Sequence, residues 1–238
     1  MKVLMIIPAY NEEESILNTV MSIVEYRKKV DFDLDYVVIN DGSVDRTKEI
    51  LDSHDLNAIH LVMNLGIGGA VQTGYKYALE KNYDVAVQFD GDGQHDIESL
   101  DALLEPIRRQ QADLVVGSRF IGDKSSEFQT TFMRRFGITI ISAFIKLTTG
   151  KRILDTTSGY RLANRDIIRQ FAARYPIKYP EPESIVHILK RKYKVVEVPA
   201  NMFERAGGVS SITPIKSIRY MIEVCSSILI AAFMKESE

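Results

Sequence analysis

Short apolar runs alternate with amphipathic stretches through the first half of the chain. Val3 to Ile7 is fully apolar, stops at Pro8 and predicts a buried strand. From about Glu12 to Lys29, Ile16, Val20, Ile23 and Val24 recur at helical spacing. Leu34 to Ile39 predicts a second strand, closed by Asn40-Asp41-Gly42-Ser43, and a helix follows to about Leu51. Ala58 to Val62 and Val85 to Phe89 predict the third and fourth strands, with a helix to about Glu80 between them. After one more helix, Asp113 to Val116 predicts a fifth strand. Strand and helix alternating at this spacing mean βαβ units: an α/β fold with a mostly parallel sheet flanked by helices on both faces.

Beyond about residue 120 the rhythm changes. Gly122 to Gln129 is polar and loop-like, and Thr131 to Leu147 predicts a helix whose apolar face includes Phe132, Phe136, Ile140, Phe144 and Leu147. A polar turn from Asp155 to Gly159, a helix near Asn164 to Ala173 and a proline-punctuated segment from Pro176 to Pro182 come next. Ser184 to Lys192 predicts a helix and Val195 to Pro199 an extended stretch. The last helix, amphipathic, runs from Pro214 to about Met234, and Pro214 suits a first helical turn. No repeat or linker divides the chain. Residues 1–238 read as one domain, in which 120–213 decorate a first half of 1–119 and 214–238 form the C-terminal helix.

Composition narrows the classes. The 238 residues, 45% hydrophobic, suffice for one sizeable core. Thirty Lys+Arg against 32 Asp+Glu leave a net charge of -2, which offers nucleic acid no general attraction. Cys225 is the single cysteine, which rules out an internal disulfide and a cysteine-based zinc cluster and fits a reducing compartment. The apolar run before Pro8 is too short for a signal-peptide core. No run reaches the roughly 18 to 20 apolar residues that a spanning helix needs. A soluble or peripheral protein is expected.

In an open parallel sheet, ligands bind beyond the carboxyl ends of the strands. Those ends here carry Pro8 to Glu12, Asn40 to Ser43, Asn64 to Gly69, Asp90 to Gln94, and Gly117-Ser118-Arg119. Five polar, glycine-bearing ends together point to a composed site. No dinucleotide fingerprint or Walker-type loop is present, because Val71 breaks the pattern that Gly66 and Gly68 begin. Gly66, Gly68 and Gly69 therefore serve either a tight turn or a backbone that passes close to a bound nucleotide. Asp90 and Asp92 are the sharper signal: two carboxylates one residue apart can converge on one hard cation that also meets a substrate's phosphates.

Pro8-Ala9-Tyr10-Asn11-Glu12, Asn40-Asp41-Gly42-Ser43-Val44-Asp45 and Asp90-Gly91-Asp92-Gly93-Gln94-His95 together resemble the family 2 inverting glycosyltransferases of the nucleotide-diphospho-sugar (GT-A) fold. Gly117 to Phe120, Arg134-Arg135, Asp155 to Arg161 and Glu204 to Ser211 are similar to the dolichyl-phosphate mannose synthase branch of that family. The resemblance covers roughly residues 2 to 215.

By this resemblance, Pro8, Ala9, Tyr10, Glu12 and Asp41 line a pocket for base and ribose. It implies that Asn64, Gly66, Gly69, Asp90, Gly91, Asp92 and Arg119 complete the nucleotide-sugar site. It further implies that Asp90, Asp92 and Gln94 hold Mg2+ or Mn2+ with the diphosphate, and that Asp92, Arg205 and Asp155 carry catalysis. Arg134, Arg135, Arg205 and Ser210 would receive an acceptor phosphate, since arginine forks match phosphate oxygens. Ordinary alternatives stand beside these roles. Glu12 suits a helix start, Asp41 an Asx turn, and Arg134 and Arg135 a solvated surface. Asp155 either takes part in catalysis or orients an arginine. Relatives that glycosylate a hydroxyl use a carboxylate base from the stretch that holds Asp155, Glu181 and Glu183.

The implied activity is inverting transfer of a hexose to a polyprenyl phosphate at the cytoplasmic face of a membrane. The donor is a UDP-sugar such as UDP-glucose, or GDP-mannose. The last helix and the Thr131 to Leu147 helix are expected to give peripheral membrane contact. The competing expectation for the last helix is burial on the core or against a second copy in a homo-oligomer. One alternative acceptor is a saccharide hydroxyl in polysaccharide assembly. A different class altogether is a non-catalytic scaffold that binds nucleotide sugars.

Overall fold

The computed structural model describes residues 1–121, 132–203 and 214–233, with side chains described outside 132–134 and 214–220. Seven strands form one sheet: β1 (Lys2–Ala9), β2 (Asp33–Asn40), β3 (Ala58–His60), β4 (Val85–Gln88), β5 (Leu114–Ser118), β6 (Arg161–Asn164) and β7 (Val195–Pro199). Their spatial order is β3-β2-β1-β4-β6-β5-β7. Among the described residues, eight α-helices accompany them: α1 (Ile16–Arg27), α2 (Thr47–Ser53), α3 (Gly66–Glu80), α4 (Leu100–Arg108), α5 (Phe132–Thr149), α6 (Arg165–Ala173), α7 (Pro180–Lys190) and α8 (Pro214–Phe233).

β1 pairs parallel to β2 on one side and β4 on the other, and its run Val3 to Ile7 is 0% exposed. A strand covered on both faces and paired on both edges has no polar side to present, which is why its sequence does not alternate. Two apolar layers flank the sheet. On one face Leu4, Ile6, Val37, Ile39 and Val116 meet buried side chains of α3, α5, α6, α7 and α8. On the other, Val3, Met5, Ile7, Val38 and Val87 meet α1 and α4.

Three findings differ from the sequence expectation. The second half does not decorate a finished sheet. It supplies β6 and β7, and β6 lies antiparallel between β4 and β5, which do not pair with each other. Four residues are too few for a periodicity to register, and Asn164 closes β6 while capping α6 through its side chain. The second difference is the rotation of α5. Its buried face is Ile138, Ile141 and Ile145, whereas Phe136 and Leu147 of the expected face are exposed. Two apolar stripes compete on this helix, and the one with the compact β-branched side chains is buried. α7 also starts at Pro180, one turn earlier than expected, with proline in the first turn.

α8 packs on α5 and α7, and its Val224, Ile228 and Ala231 are buried while Ile222, Ile230 and Phe233 stay exposed. No helix among the described residues is long and apolar enough to cross a membrane.

Candidate active site

The carboxyl ends of β1, β2 and β4 open side by side, and the loops leaving β1 and β2 are stitched together. Asn11, at φ 57°, donates its N–H to Ser43 Oγ (3.0 Å), and its side-chain oxygen accepts from the Val44 N–H (2.9 Å). The Glu12 N–H donates to Thr47 Oγ1 at 2.9 Å and the Glu13 N–H to Asp45 at 3.1 Å. Glu12 Oε2 in turn accepts from the Ser15 hydroxyl at 2.9 Å, just ahead of α1. Tyr10 remains exposed on this rim. Asp41 is buried and accepts the Leu65 N–H on Oδ1 at 2.7 Å, which ties the β3–α3 loop to β2. Asn64 accepts the Gly66 N–H at 2.9 Å, and Gly66 has φ +77°. Gly42, at φ +67°, lies so close to that loop that a Cβ would come within 2.8 Å of Met63 C and Asn64 N. Pro8 and Ala9 form the end of β1, and a Cβ on Gly91 would come within 3.0 Å of the Pro8 carbonyl oxygen. The expected base-and-ribose residues and the Asn64 to Gly69 loop thus meet at one place.

Asp90 and Asp92 lie just past β4 at the centre of this opening. The Asp90 side chain is 33% exposed, and its Oδ1 accepts from Gln88 Nε2 at 3.4 Å. The Asp90 N–H donates to His95 Nδ1 at 3.2 Å. A backbone N–H only donates, so the His95 proton sits on Nε2, 3.6 Å from Asp90 Oδ2. Burial holds the His95 pKa below its ordinary value against the pull of Asp90, so the ring is neutral near pH 7. It stacks on Tyr160 at 4.9 Å and meets Phe89 edge-on. Asp92 accepts the Gln94 N–H at 3.1 Å, which turns the loop back. Gln94 is bound at both backbone and side chain to Phe203, the last described residue before 204–213.

Among the described residues, no three His, Cys, Asp or Glu side chains converge into a ready-made metal cage. Two carboxylates on one turn, open to the cleft, nevertheless suit Mg2+ or Mn2+, which commonly binds through one or two carboxylates and completes its shell with substrate phosphates and water. The donor set fits.

Arg119 and Asp155 form the most buried ion pair near the site, at 5% and 0% side-chain exposure. Nε and Nη2 bond the two carboxylate oxygens at 2.8 and 2.7 Å, and the Arg119 N–H adds a third contact at 3.0 Å. Asp155 is itself held by its N–H to Glu197 at 2.7 Å. Both oxygens of the Asp155 carboxylate are thus taken up by Arg119. The Arg119 and Arg135 guanidinia lie 5.6 and 5.8 Å from the ring centre of Phe120, which brings Arg135 to the same edge. The side chain of Arg134, and Arg205 and Ser210, lie outside the described residues.

Two contributors complete this wall: Gly159, to which the sequence alone assigns no role, and Glu181, one of the carboxylates it leaves open as a base. Gly159 packs against Asp90 so closely that a Cβ would lie 2.3 Å from Oδ2. Glu181, in the first turn of α7, lies beside the Gln88 side chain. Burial and the Asp90 charge raise its pKa, while the charge of Arg161 works the other way. The signal for Gly159 was its place within Asp155 to Arg161. For Glu181 it was a carboxylate between two prolines at a helix start.

Comparison with known proteins agrees with this geometry. The glycosyl transferase family 2 model matches residues 5–171. Among curated relatives, an undecaprenyl-phosphate mannosyltransferase of Micrococcus luteus is 32% identical, over 90% of this chain and 88% of its own length. A UDP-N-acetylglucosamine–dolichyl-phosphate N-acetylglucosaminyltransferase of Methanococcus voltae is 30% identical, over 82% and 83%. Among solved structures, glucosyl-3-phosphoglycerate synthase of Mycobacterium tuberculosis with phosphoglyceric acid superposes with a TM-score of 0.71 at 18% identity, over 99% of this chain and 81% of that one. That likeness shows the GT-A fold. With its fold, its Asp90-Gly91-Asp92 turn and its near full-length relatives, the chain belongs to glycosyl transferase family 2.

Proposed function

We propose that this protein transfers a hexosyl group from a nucleoside-diphosphate sugar to a polyprenyl phosphate, with inversion at the anomeric carbon. The observation that carries the reading is the joint presence of an open Asp90-Asp92 turn and an arginine-bearing edge at Arg119 and Arg135, in a chain similar along most of its length to enzymes named for that acceptor class. Tyr10, Glu12 and Asp41 receive base and ribose, and the Asn64 to Gly69 turn brings backbone close to them. Asp90 and Asp92 would hold Mg2+ or Mn2+, with Gln94 beside them. That ion supplies neutralisation of the charge that builds on the departing diphosphate.

The remaining work falls to the chain's own groups. A phosphate monoester is already anionic near neutral pH, its second pKa being about 6. It attacks without surrendering a proton, whereas a sugar hydroxyl needs a positioned base. Arg135, Arg134, Arg205 and Ser210 hold the acceptor phosphate in line, and Asp155 keeps Arg119 aimed. The acceptor is lipid-borne, so the exposed residues Phe136, Leu147, Ile222, Ile230 and Phe233 are assigned to the membrane surface on its cytoplasmic side.

The purified chain, incubated with Mn2+, undecaprenyl phosphate and UDP-glucose, UDP-N-acetylglucosamine or GDP-mannose in turn, should yield a hexosyl-phosphoryl lipid by mass analysis with one of them. Glycosylation of added oligosaccharides but never of the lipid would favour the saccharide-hydroxyl acceptor. Donor binding without any transfer would favour a scaffold.

A further inference from the structure

Arg161 opens β6, in register between Gln88 of β4 and Val116 of β5, and is 1% exposed. Its guanidinium makes four bonds. Nε donates to the Ser158 carbonyl at 2.7 Å and Nη2 to the Thr156 carbonyl at 3.2 Å. Nη1 donates to the Glu181 carbonyl at 2.7 Å and to Ser184 Oγ at 2.8 Å. All four acceptors are uncharged, and among the described residues no carboxylate forms a direct ion pair with it, although its charge acts on the nearby Glu181 carboxylate. A buried cation of this kind is costlier than an apolar side chain of similar volume, so stability alone gives no reason for arginine here.

The four bonds have a geometric result. Two hold the 155–159 loop, which carries the Asp155 partner of Arg119 and the Gly159 surface that Asp90 rests on. Two hold the first turn of α7, which carries Glu181. Glu181 lies beside Gln88, and Gln88 donates to Asp90. One rigid fork therefore fixes both walls beside the Asp90-Asp92 turn. A hexosyl group hung from a diphosphate on that turn would lie between those walls.

We propose that Arg161 is a positioning residue of the donor-sugar subsite, setting the Glu181 carboxylate against the 155–159 loop at the spacing a bound hexosyl group requires. It touches neither donor nor acceptor. The role rests on the nucleoside-diphosphate-sugar donor of the proposed function and is independent of the acceptor.

Titration calorimetry in Mn2+ compares a bare nucleoside diphosphate, UDP or GDP, with its nucleotide sugar. Arg161→Lys keeps the charge, but a single ammonium cannot span four acceptors on two segments. The expected result is unchanged affinity for the bare diphosphate and about tenfold weaker binding of the nucleotide sugar, the loss of a hydrogen bond to a charged group. Turnover should fall by about 100-fold, as for a displaced reacting geometry. Equal weakening of both ligands, or wild-type binding of both with wild-type turnover, overturns the proposal. If Arg161→Lys does not fold, Ser184→Ala removes one acceptor only. It should shift the nucleotide sugar alone, and unchanged discrimination between the two ligands there also overturns the role. Wild-type protein that binds neither ligand overturns the donor chemistry and this proposal together. Wild-type protein that binds donor but leaves polyprenyl phosphate unmodified overturns the acceptor assignment, and the calorimetric comparison still decides Arg161.

Discussion

Gly159 and Asp90 show how little room the chemistry has at the scale of single residues. A methyl group on Gly159 would stand 2.3 Å from one Asp90 oxygen and 2.9 Å from its Cγ, so the carboxylate must turn away. Gly159→Ala should lower turnover by about 100-fold, as a 1 Å misplacement does, while a thermal melt shows the fold retained. Asp92→Ala should abolish transfer at saturating Mn2+, and full activity of that variant in excess chelator would remove the metal assignment. Glu183 has a structural occupation, since it accepts from Ser227 and ties α7 to α8. Assays on polyprenyl phosphate should therefore find Arg205→Ala far more damaging than Glu183→Gln. The reverse order would hand the site to a hydroxyl acceptor and its base.

At the scale of elements, the loops after β1 and β2 stand on Asp45. Burial pushes its pKa up, but the Thr47 hydroxyl and the N–H groups of Thr47 and Glu13 outweigh this and hold it below the ordinary 3.8. A depressed carboxylate stabilises the fold fully above its unfolded value and loses that contribution as pH falls through the lower folded value. Asp45→Ala should cost about 1 kcal/mol at pH 7, the usual net worth of a hydrogen bond. Denaturant titrations should show the difference from wild type shrinking below pH 4. Gly68→Ala acts elsewhere: its Cβ would meet the Pro176 carbonyl oxygen at 2.3 Å, and backbone cannot rotate aside. Overpacking of this kind typically costs roughly 1–3 kcal/mol, and the same titrations read it.

The first five strands and their order along the chain were legible because apolar runs such as Val3 to Ile7 end at polar, glycine-bearing turns. The placement of Asp90, Asp92, Asp41 and Tyr10 at one opening came from that alternation. β6 was not legible, being four residues long and holding a buried arginine, which reads as surface in any pattern of polarity. That Asp155 could orient an arginine was legible, but not that the arginine is Arg119, because the two lie 36 positions apart and only the antiparallel return brings them together. On α5 the periodicity was visible, but two stripes satisfied it and only packing chose between them.

At the scale of the whole molecule, α8 answers to two demands at once. Val224, Ile228 and Ala231 lock it to the core, and Ile222, Ile230 and Phe233 form the opposite face. Removing the helix would strip core contacts as well as the outer surface, so point changes are the cleaner test. Ile230→Asp with Phe233→Asp should abolish flotation with anionic vesicles while leaving the melting temperature near that of the wild type. Undiminished flotation would move the membrane contact off this face.

The position of β6 also governs what can happen while the chain is being made. Once residues 1–119 have emerged, β3, β2, β1 and β4 can assemble, but β5 has no neighbour among them. Its apolar Leu114-Val115-Val116 waits until Arg161 to Asn164 arrive to bridge it to β4, and until Val195 to Pro199 cover its other edge. During that interval the nascent polypeptide carries an open β4 edge and both edges of β5 unpaired, the condition under which chains pair with the wrong partner. A ribosome stalled at any point before about residue 164 would therefore hold a sheet that cannot close, and a gene cut between the two halves would give fragments that need each other to fold.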